Sequence, residues 1–128
     1  MSNPADRKYT KDHEWLKQDG DNYIVGITSY AQEELGDIVF VELPDVGVEL
    51  SAGSSFGTIE SVKAVSDIYA PVNAKVVEAN QALQDDPQLL NTDPFEKGWI
   101  VKVEAKSLDG AELLEPADYD KLLSEISK

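Results

Sequence analysis

Apolar and polar residues alternate in short runs from Tyr9 to Glu104, and Gly, Pro, Asn or Asp closes each run. A period of two sends side chains alternately to the two faces of a strand, so this stretch predicts many brief strands and a mainly β chain. Glu14-Trp15-Leu16-Lys17 and Tyr23-Ile24-Val25-Gly26-Ile27 flank Gln18-Asp19-Gly20-Asp21-Asn22 and predict a first hairpin. Ser29-Tyr30-Ala31-Gln32 has capping-box spacing, and Gly36 stands where a left-handed cap belongs, so a short helix is expected between them. A strand follows over 37–43, ending at Pro44, with others over 55–60, 65–70, 75–80 and 99–104. The Pro- and Asp-rich stretch 85–95 is expected to leave the sheet and hold one helical turn before Gly98 returns the chain. Beyond Asp109-Gly110, Tyr119, Leu122, Leu123 and Ile126 fall at i, i+3, i+4 and i+7, with Pro116 near the first turn. That spacing predicts a terminal amphipathic helix over about 116–126.

A weak echo sets Asp37-Ile38, Val48-Glu49 and Gly57 against Asp67-Ile68, Val77-Glu78 and Gly98. Two similar β halves are implied, not a solenoid repeat, since the second half holds the Pro-rich excursion. Burying two such halves against each other gives a flattened barrel of two facing sheets. At 128 residues one domain, 1–128, is expected, with its core at about 9–105.

Composition narrows the function. Hydrophobic residues make up 41% and charged ones 28%, the balance of a folded soluble protein, and no apolar run approaches a membrane span. The net charge is −14, which repels nucleic acid and anionic membrane over a Debye length of about 8–10 Å and speeds encounter with basic partners. Without cysteine the chain has no thiol nucleophile, disulfide or zinc-thiolate site. His13 is the only histidine, and an exposed or capping role is expected of it. Acidic pairs such as Glu33-Glu34 and Asp85-Asp86 lack a matched acid-base partner and read as solvated faces. A monomer is expected.

One charge stands out. Lys63 is the only cation between Lys17 and Lys75, among ten carboxylates from Asp19 to Asp67. It sits in Glu60-Ser61-Val62-Lys63-Ala64-Val65-Ser66-Asp67-Ile68, where one strand rises and another returns, so its side chain is expected free at a hairpin apex. An ε-amine there suits amide attachment of an acid-bearing cofactor, and the four-carbon stem adds reach. From placement alone, a turn lysine is usually just solvated.

Several stretches in order resemble the glycine cleavage system H proteins, which are lipoyl carriers. They are His13-Glu14-Trp15, Val25-Gly26-Ile27-Thr28 with Ala31-Gln32, and Leu35-Gly36-Asp37-Ile38-Val39-Phe40-Val41-Glu42-Leu43-Pro44. Glu60-Ser61-Val62-Lys63-Ala64, Asp67-Ile68-Tyr69-Ala70-Pro71-Val72, Asn91-Thr92-Asp93-Pro94-Phe95 and Gly98-Trp99-Ile100 complete the set. The resemblance implies a barrel-sandwich hybrid fold with lipoic acid in amide linkage to Lys63. It implies partners as well: a pyridoxal-phosphate glycine decarboxylase, a tetrahydrofolate-dependent aminomethyltransferase, dihydrolipoamide dehydrogenase and lipoate-attaching enzymes. On this view the arm takes up an aminomethyl group, and Glu14 and Asp67 are candidate contacts for its cationic amine. No catalytic residue or metal ligand is expected. A bacterial cytoplasmic setting is expected from Met1 without an Arg-rich transit segment, or a mitochondrial matrix if the source is eukaryotic.

The sequence departs from the family at Asn73-Ala74, where members commonly have Gly; Ala74 is expected to be strained if that turn needs positive φ. A biotinyl carrier shares the architecture but usually has Met on both sides of its lysine, where Val62 and Ala64 stand here. An H-like protein acting as a lipoate relay or redox-linked carrier remains an open alternative.

Overall fold

A computed structural model, which describes residues 3–105, 108, 111 and 113–126, turns nearly every alternating run into an antiparallel ladder. The elements run β1 (Lys8–Tyr9), β2 (Glu14–Asp19), β3 (Asn22–Ile27), α1 (Ser29–Leu35), β4 (Ile38–Glu42), β5 (Glu49–Leu50), β6 (Ser55–Ser61) and β7 (Val65–Tyr69). They continue with β8 (Ala74–Ala79), α2 (Ala82–Asp85), α3 (Leu89–Thr92), β9 (Val101–Glu104) and α4 (Pro116–Ile126). A six-stranded sheet has the order β1-β2-β3-β9-β8-β5, and a three-stranded one β4-β6-β7. Leu16, Val25, Val76 and Val103 from the first meet Ile38, Val41, Ile59 and Ile68 from the second in one buried core. The sheets do not close into a barrel, so the expected flattened barrel is two layers with open edges.

Local chemistry explains the details. Asp19 pairs with Asn22, so only Gly20-Asp21 is left as the loop, with Gly20 at φ 63°. The first turn is therefore tighter than the sequence suggests. The α1 N-cap is Thr28, one residue before the expected Ser29, and its Oγ1 accepts from the Ala31 N–H at 3.3 Å. Gly36 ends the helix at φ 77°, ψ −156°, outside the left-handed helical region but still open to glycine, and this turns the chain directly into β4.

The excursion after β8 holds two helical turns, α2 and α3, where one was expected. Asn80 ties its two ends together: Nδ2 donates to the Lys97 and Trp99 carbonyls at 2.9 and 2.7 Å, and Oδ1 accepts from the Ala82 N–H at 3.3 Å. β9 accordingly starts at Val101, later than the 99 expected. β1 and β5, two residues each, are too short to register as a period. The internal echo holds in part. β5 pairs with β8, and β4 and β7 flank β6, yet β6 and β9 lie in different sheets. The Asp109-Gly110 turn lies outside the described residues.

A second, aromatic cluster of Tyr9, Trp15, Phe95 and Tyr119 docks α4. The Tyr9 and Tyr119 rings stack at 4.7 Å, and Tyr9 and Leu114 exchange backbone hydrogen bonds. The Tyr119 hydroxyl lies 2.7 Å from Thr28 Oγ1 and 2.9 Å from His13 Nδ1. His13 is thus not an exposed or capping residue. It is half-buried, at φ 68°, between the Tyr30 and Tyr119 rings, and burial holds its imidazole below the ordinary value against the pull of Asp12 and Glu34. Tyr119→Phe keeps the ring stack and removes the hydroxyl that His13 Nδ1 and the buried Thr28 Oγ1 share, leaving Thr28 Oγ1 only its bond from the Ala31 N–H. It is expected to lower stability by about 1–3 kcal/mol, read by denaturant unfolding. An unchanged midpoint would mean that packing alone holds α4.

Candidate functional site

Lys63 stands in the two-residue loop of the β6–β7 hairpin, as expected. The Ser61 N–H donates to the Ala64 carbonyl at 2.8 Å. Ser61 Oγ also accepts from the Lys63 and Ala64 N–H groups at 3.3 and 3.1 Å, so one hydroxyl organises the whole turn. Val62 N–H donates to the Asp37 carbonyl at 3.0 Å and ties the loop to the crossover between α1 and β4. The Lys63 side chain is exposed, and among the described residues its ammonium enters no ion pair or side-chain hydrogen bond. Its stem lies over Gly36: a Cβ built there would sit 3.5 Å from Lys63 Cε. The carbonyl end of α1 therefore underlies a cation.

The sheet that carries this hairpin has β4 and β7 as its outer strands, and side chains satisfy their outward peptide groups. Asn91 Oδ1 accepts from the Ile38 N–H at 3.0 Å, while its Nδ2 donates to the Gly36 carbonyl and to Gln32 Oε1 at 2.9 and 3.0 Å. Gln84 Nε2 donates to the Val41 carbonyl at 2.8 Å. Asn91 thereby clamps the Gly36–Asp37 segment that in turn holds Val62. Sequence reasoning noted Asn91 as part of a motif but assigned it no role, because its partners lie 53 to 59 positions away.

Glu14 closes the other edge. It is 3% exposed; Oε2 accepts from the Tyr69 N–H at 2.8 Å and Oε1 from Thr10 Oγ1 at 3.1 Å. It therefore links the start of β2 to the end of β7. Glu14 also lines a cavity of about 370 Å³ with Thr10, Lys11, Asp12, Ala52, Gly53, Ala70 and Pro71. Asp67 does not line it: it is exposed on the outer face of β7, opposite Thr58. β7 leads from Lys63 past Asp67, roughly 13 Å on, toward Tyr69, about 20 Å on at the rise of a strand. Lys63 precedes β7, Asp67 lies within it and Glu14 reaches its end from β2, so the three are spread along the strand rather than gathered at one point.

Ala74 does not carry the strain expected of it. It is the first residue of β8, opposite Leu50, and among the described non-glycine residues only His13 has positive φ. The turn before it lies at the far end of β7 from Lys63.

The glycine cleavage H-protein family model matches residues 7–126. The glycine cleavage system H protein of Carboxydothermus hydrogenoformans is 58% identical over 123 residues, covering 95% of each chain. That of Listeria monocytogenes is 53% identical over 124 residues, covering 96% of this chain and 99% of its own. The crystal structure of a glycine cleavage system H protein from Mycobacterium marinum superposes with a TM-score of 0.86 at 44% identity, covering 98% of this chain and 99% of that one.

Burial, with a smaller push from Asp12, raises the Glu14 carboxyl from 4.5 to about 8 against the pull of the Tyr69 and Thr10 hydrogen bonds. A carboxyl that holds its proton more tightly when folded weakens the fold as pH rises from about 4.5 to about 8, and no further above that. In Glu14→Gln the amide oxygen still accepts from Tyr69, and the amide is uncharged at every pH, as the protonated carboxyl is. Parent and variant are expected to melt alike near pH 4.5, with the variant gaining progressively toward pH 8, at about 1.4 kcal/mol per pH unit at most. A pH-independent gap in melting temperature would show that Glu14 titrates normally.

Proposed function

The chain belongs to the glycine cleavage H-protein family, and from that premise we propose that it is a lipoyl carrier that shuttles between enzymes and catalyses nothing itself. The observation that carries this reading is Lys63: an exposed amine, unpaired among the described residues, at the tip of a hairpin braced by Ser61 and by the Asp37 carbonyl. An amine so placed fits amide attachment, since an acylating enzyme can reach it without unfolding anything. Lipoic acid joined to Lys63 supplies a dithiolane that takes up an aminomethyl group from glycine decarboxylation, yields it to the tetrahydrofolate-dependent aminomethyltransferase, and is reoxidised by dihydrolipoamide dehydrogenase.

The rest is the work of the chain's own residues. Ser61, Asp37 and Asn91 hold the attachment point still, so that motion is confined to the arm and its tip stays at high effective concentration near each partner. Asp67 lies nearest along β7 as a first contact for a cationic amine carried by the arm. Glu14, farther along, offers a desolvated carboxyl whose proton an arriving ammonium replaces, and loss of the amine to water slows while the pair is held. The absence of cysteine leaves no protein thiol to exchange with the dithiolane. The relatives compared above come from bacteria, which supports a bacterial cytoplasm as the place of work.

Intact-protein mass on material from the native host is expected to show one lipoyl-sized adduct, absent from Lys63→Arg; no adduct in a host that lipoylates other proteins overturns the carrier reading. With the arm loaded, Glu14→Gln is expected to shorten its lifetime several-fold at pH 7.5, followed by release of ammonia and formaldehyde. An unchanged lifetime removes Glu14 from the contact.

A further inference from the structure

On the outer face of the three-stranded sheet, the β4–β6 register slips between Ile38 and Phe40. This bulge breaks the alternation of the strand: Ile38 and Val41 stay buried while Val39 and Phe40 both turn to solvent. Phe40 lies opposite Glu60, and Glu60 lies opposite Val65 on its other side, with Val62 in the lysine turn itself. Val39, Phe40, Val62 and Val65 are each between 44% and 69% exposed, so the sheet end that carries Lys63 is an apolar patch. Clustered apolar exposure of this kind marks a contact surface. In the next row across the sheet Glu42, Thr58 and Asp67 stand side by side, placing carboxylates behind the patch.

We propose that this patch is the docking surface for the enzyme that acylates Lys63, a protein whose active-site mouth is apolar and bordered by Lys or Arg. The inference rests on the reading of Lys63 as an acylated residue. Reach selects this occupant over the others. An enzyme that builds the amide must bring its reacting centre to Nζ, only about 6 Å from Cα at the reach of an extended chain, and so must cover the hairpin tip. Enzymes that act on the far end of an attached arm are free of that constraint. In the step itself the Lys63 ammonium first loses a proton, the acyl carbon of an adenylate or thioester bonds to Nζ, its bond to the phosphate oxygen or thiol sulfur breaks, and Nζ gives up a second proton. Charge complementarity argues for the basic border, because the partner must approach Glu42, Glu60 and Asp67 on a chain of net charge −14.

The test uses the full chain, purified lipoate–protein ligase, lipoate and ATP, with modification followed by intact mass. Val39→Ser/Phe40→Ser changes two side chains that already face solvent. It is expected to lower kcat/KM at least tenfold, through KM, whereas Val46→Ser/Val48→Ser, an exposed apolar pair at the other end of β4, leaves it within twofold. A second measurement separates docking from chemistry. Lys63→Arg, which accepts no acyl group, is expected to inhibit modification of the parent competitively, and to stop inhibiting once Val39→Ser/Phe40→Ser is added. Raising KCl is expected to raise KM. Equal kcat/KM for the Val39/Phe40 variant and parent, or equal inhibition by the two Lys63→Arg proteins, overturns the docking surface. A KM insensitive to salt overturns its basic border. Failure of the parent to take a lipoyl group would instead overturn the carrier reading beneath it.

Discussion

A three-stranded sheet has two outer strands whose peptide groups point away from it, and each such group, once buried, needs a partner. In the sheet that carries Lys63 those partners are side chains. Asn91 and Gln84 serve β4, and Glu14 serves β7. Each bond also joins the sheet to another part of the chain: the excursion after β8 on one side, the start of β2 on the other. A buried peptide group left without a partner costs about 1–3 kcal/mol, so closing the edges and fixing the hairpin are the same requirement. Asn91 makes this plain, since it bonds on both sides of Asp37, whose carbonyl receives the Val62 N–H.

Much of this was legible in the sequence, for reasons of range. The longer strands and α4 follow from a local period, and Lys63 from its isolation and its place in a motif. What depends on distant partners was not. Thr28 caps α1 in place of Ser29, and its hydroxyl is also held by Tyr119, 91 positions on. Two helical turns replace one in a stretch whose ends Asn80 draws together. The run Ile38-Val39-Phe40-Val41 was expected only as part of a strand, and its slipped register against β6 turns two adjacent residues of it outward. His13 looked like a surface histidine because nothing nearby announces Tyr119. Ala74 was expected to be strained by comparison with a family glycine, yet its own backbone is ordinary strand.

Glu14 bears two demands that pull against each other. As the bond that closes β7 it is best neutral, because burial penalises a carboxylate whose two hydrogen bonds only partly offset the lost water. In the proposed contact with a cationic amine it would be best charged. A carboxyl raised to about 8 meets both, holding a proton while the cavity has no cation and releasing it when one arrives. Asp67, exposed on the strand face opposite Thr58, takes no part in closing that edge.

The same division between body and arm governs charge. Lys63 is the one cation in a long acidic stretch, and its stem lies over the carbonyl end of α1. The proposed conversion to an amide would remove that charge, so the attraction to the helix end would be lost and the surface around the hairpin would carry no cation among the described residues. The unmodified chain therefore differs from the modified one at the tip alone, where the bulge of β4 also places Val39 and Phe40. A partner that reads both the apolar patch and the lone ammonium can distinguish a chain still to be acylated from one that is finished, with no change of fold.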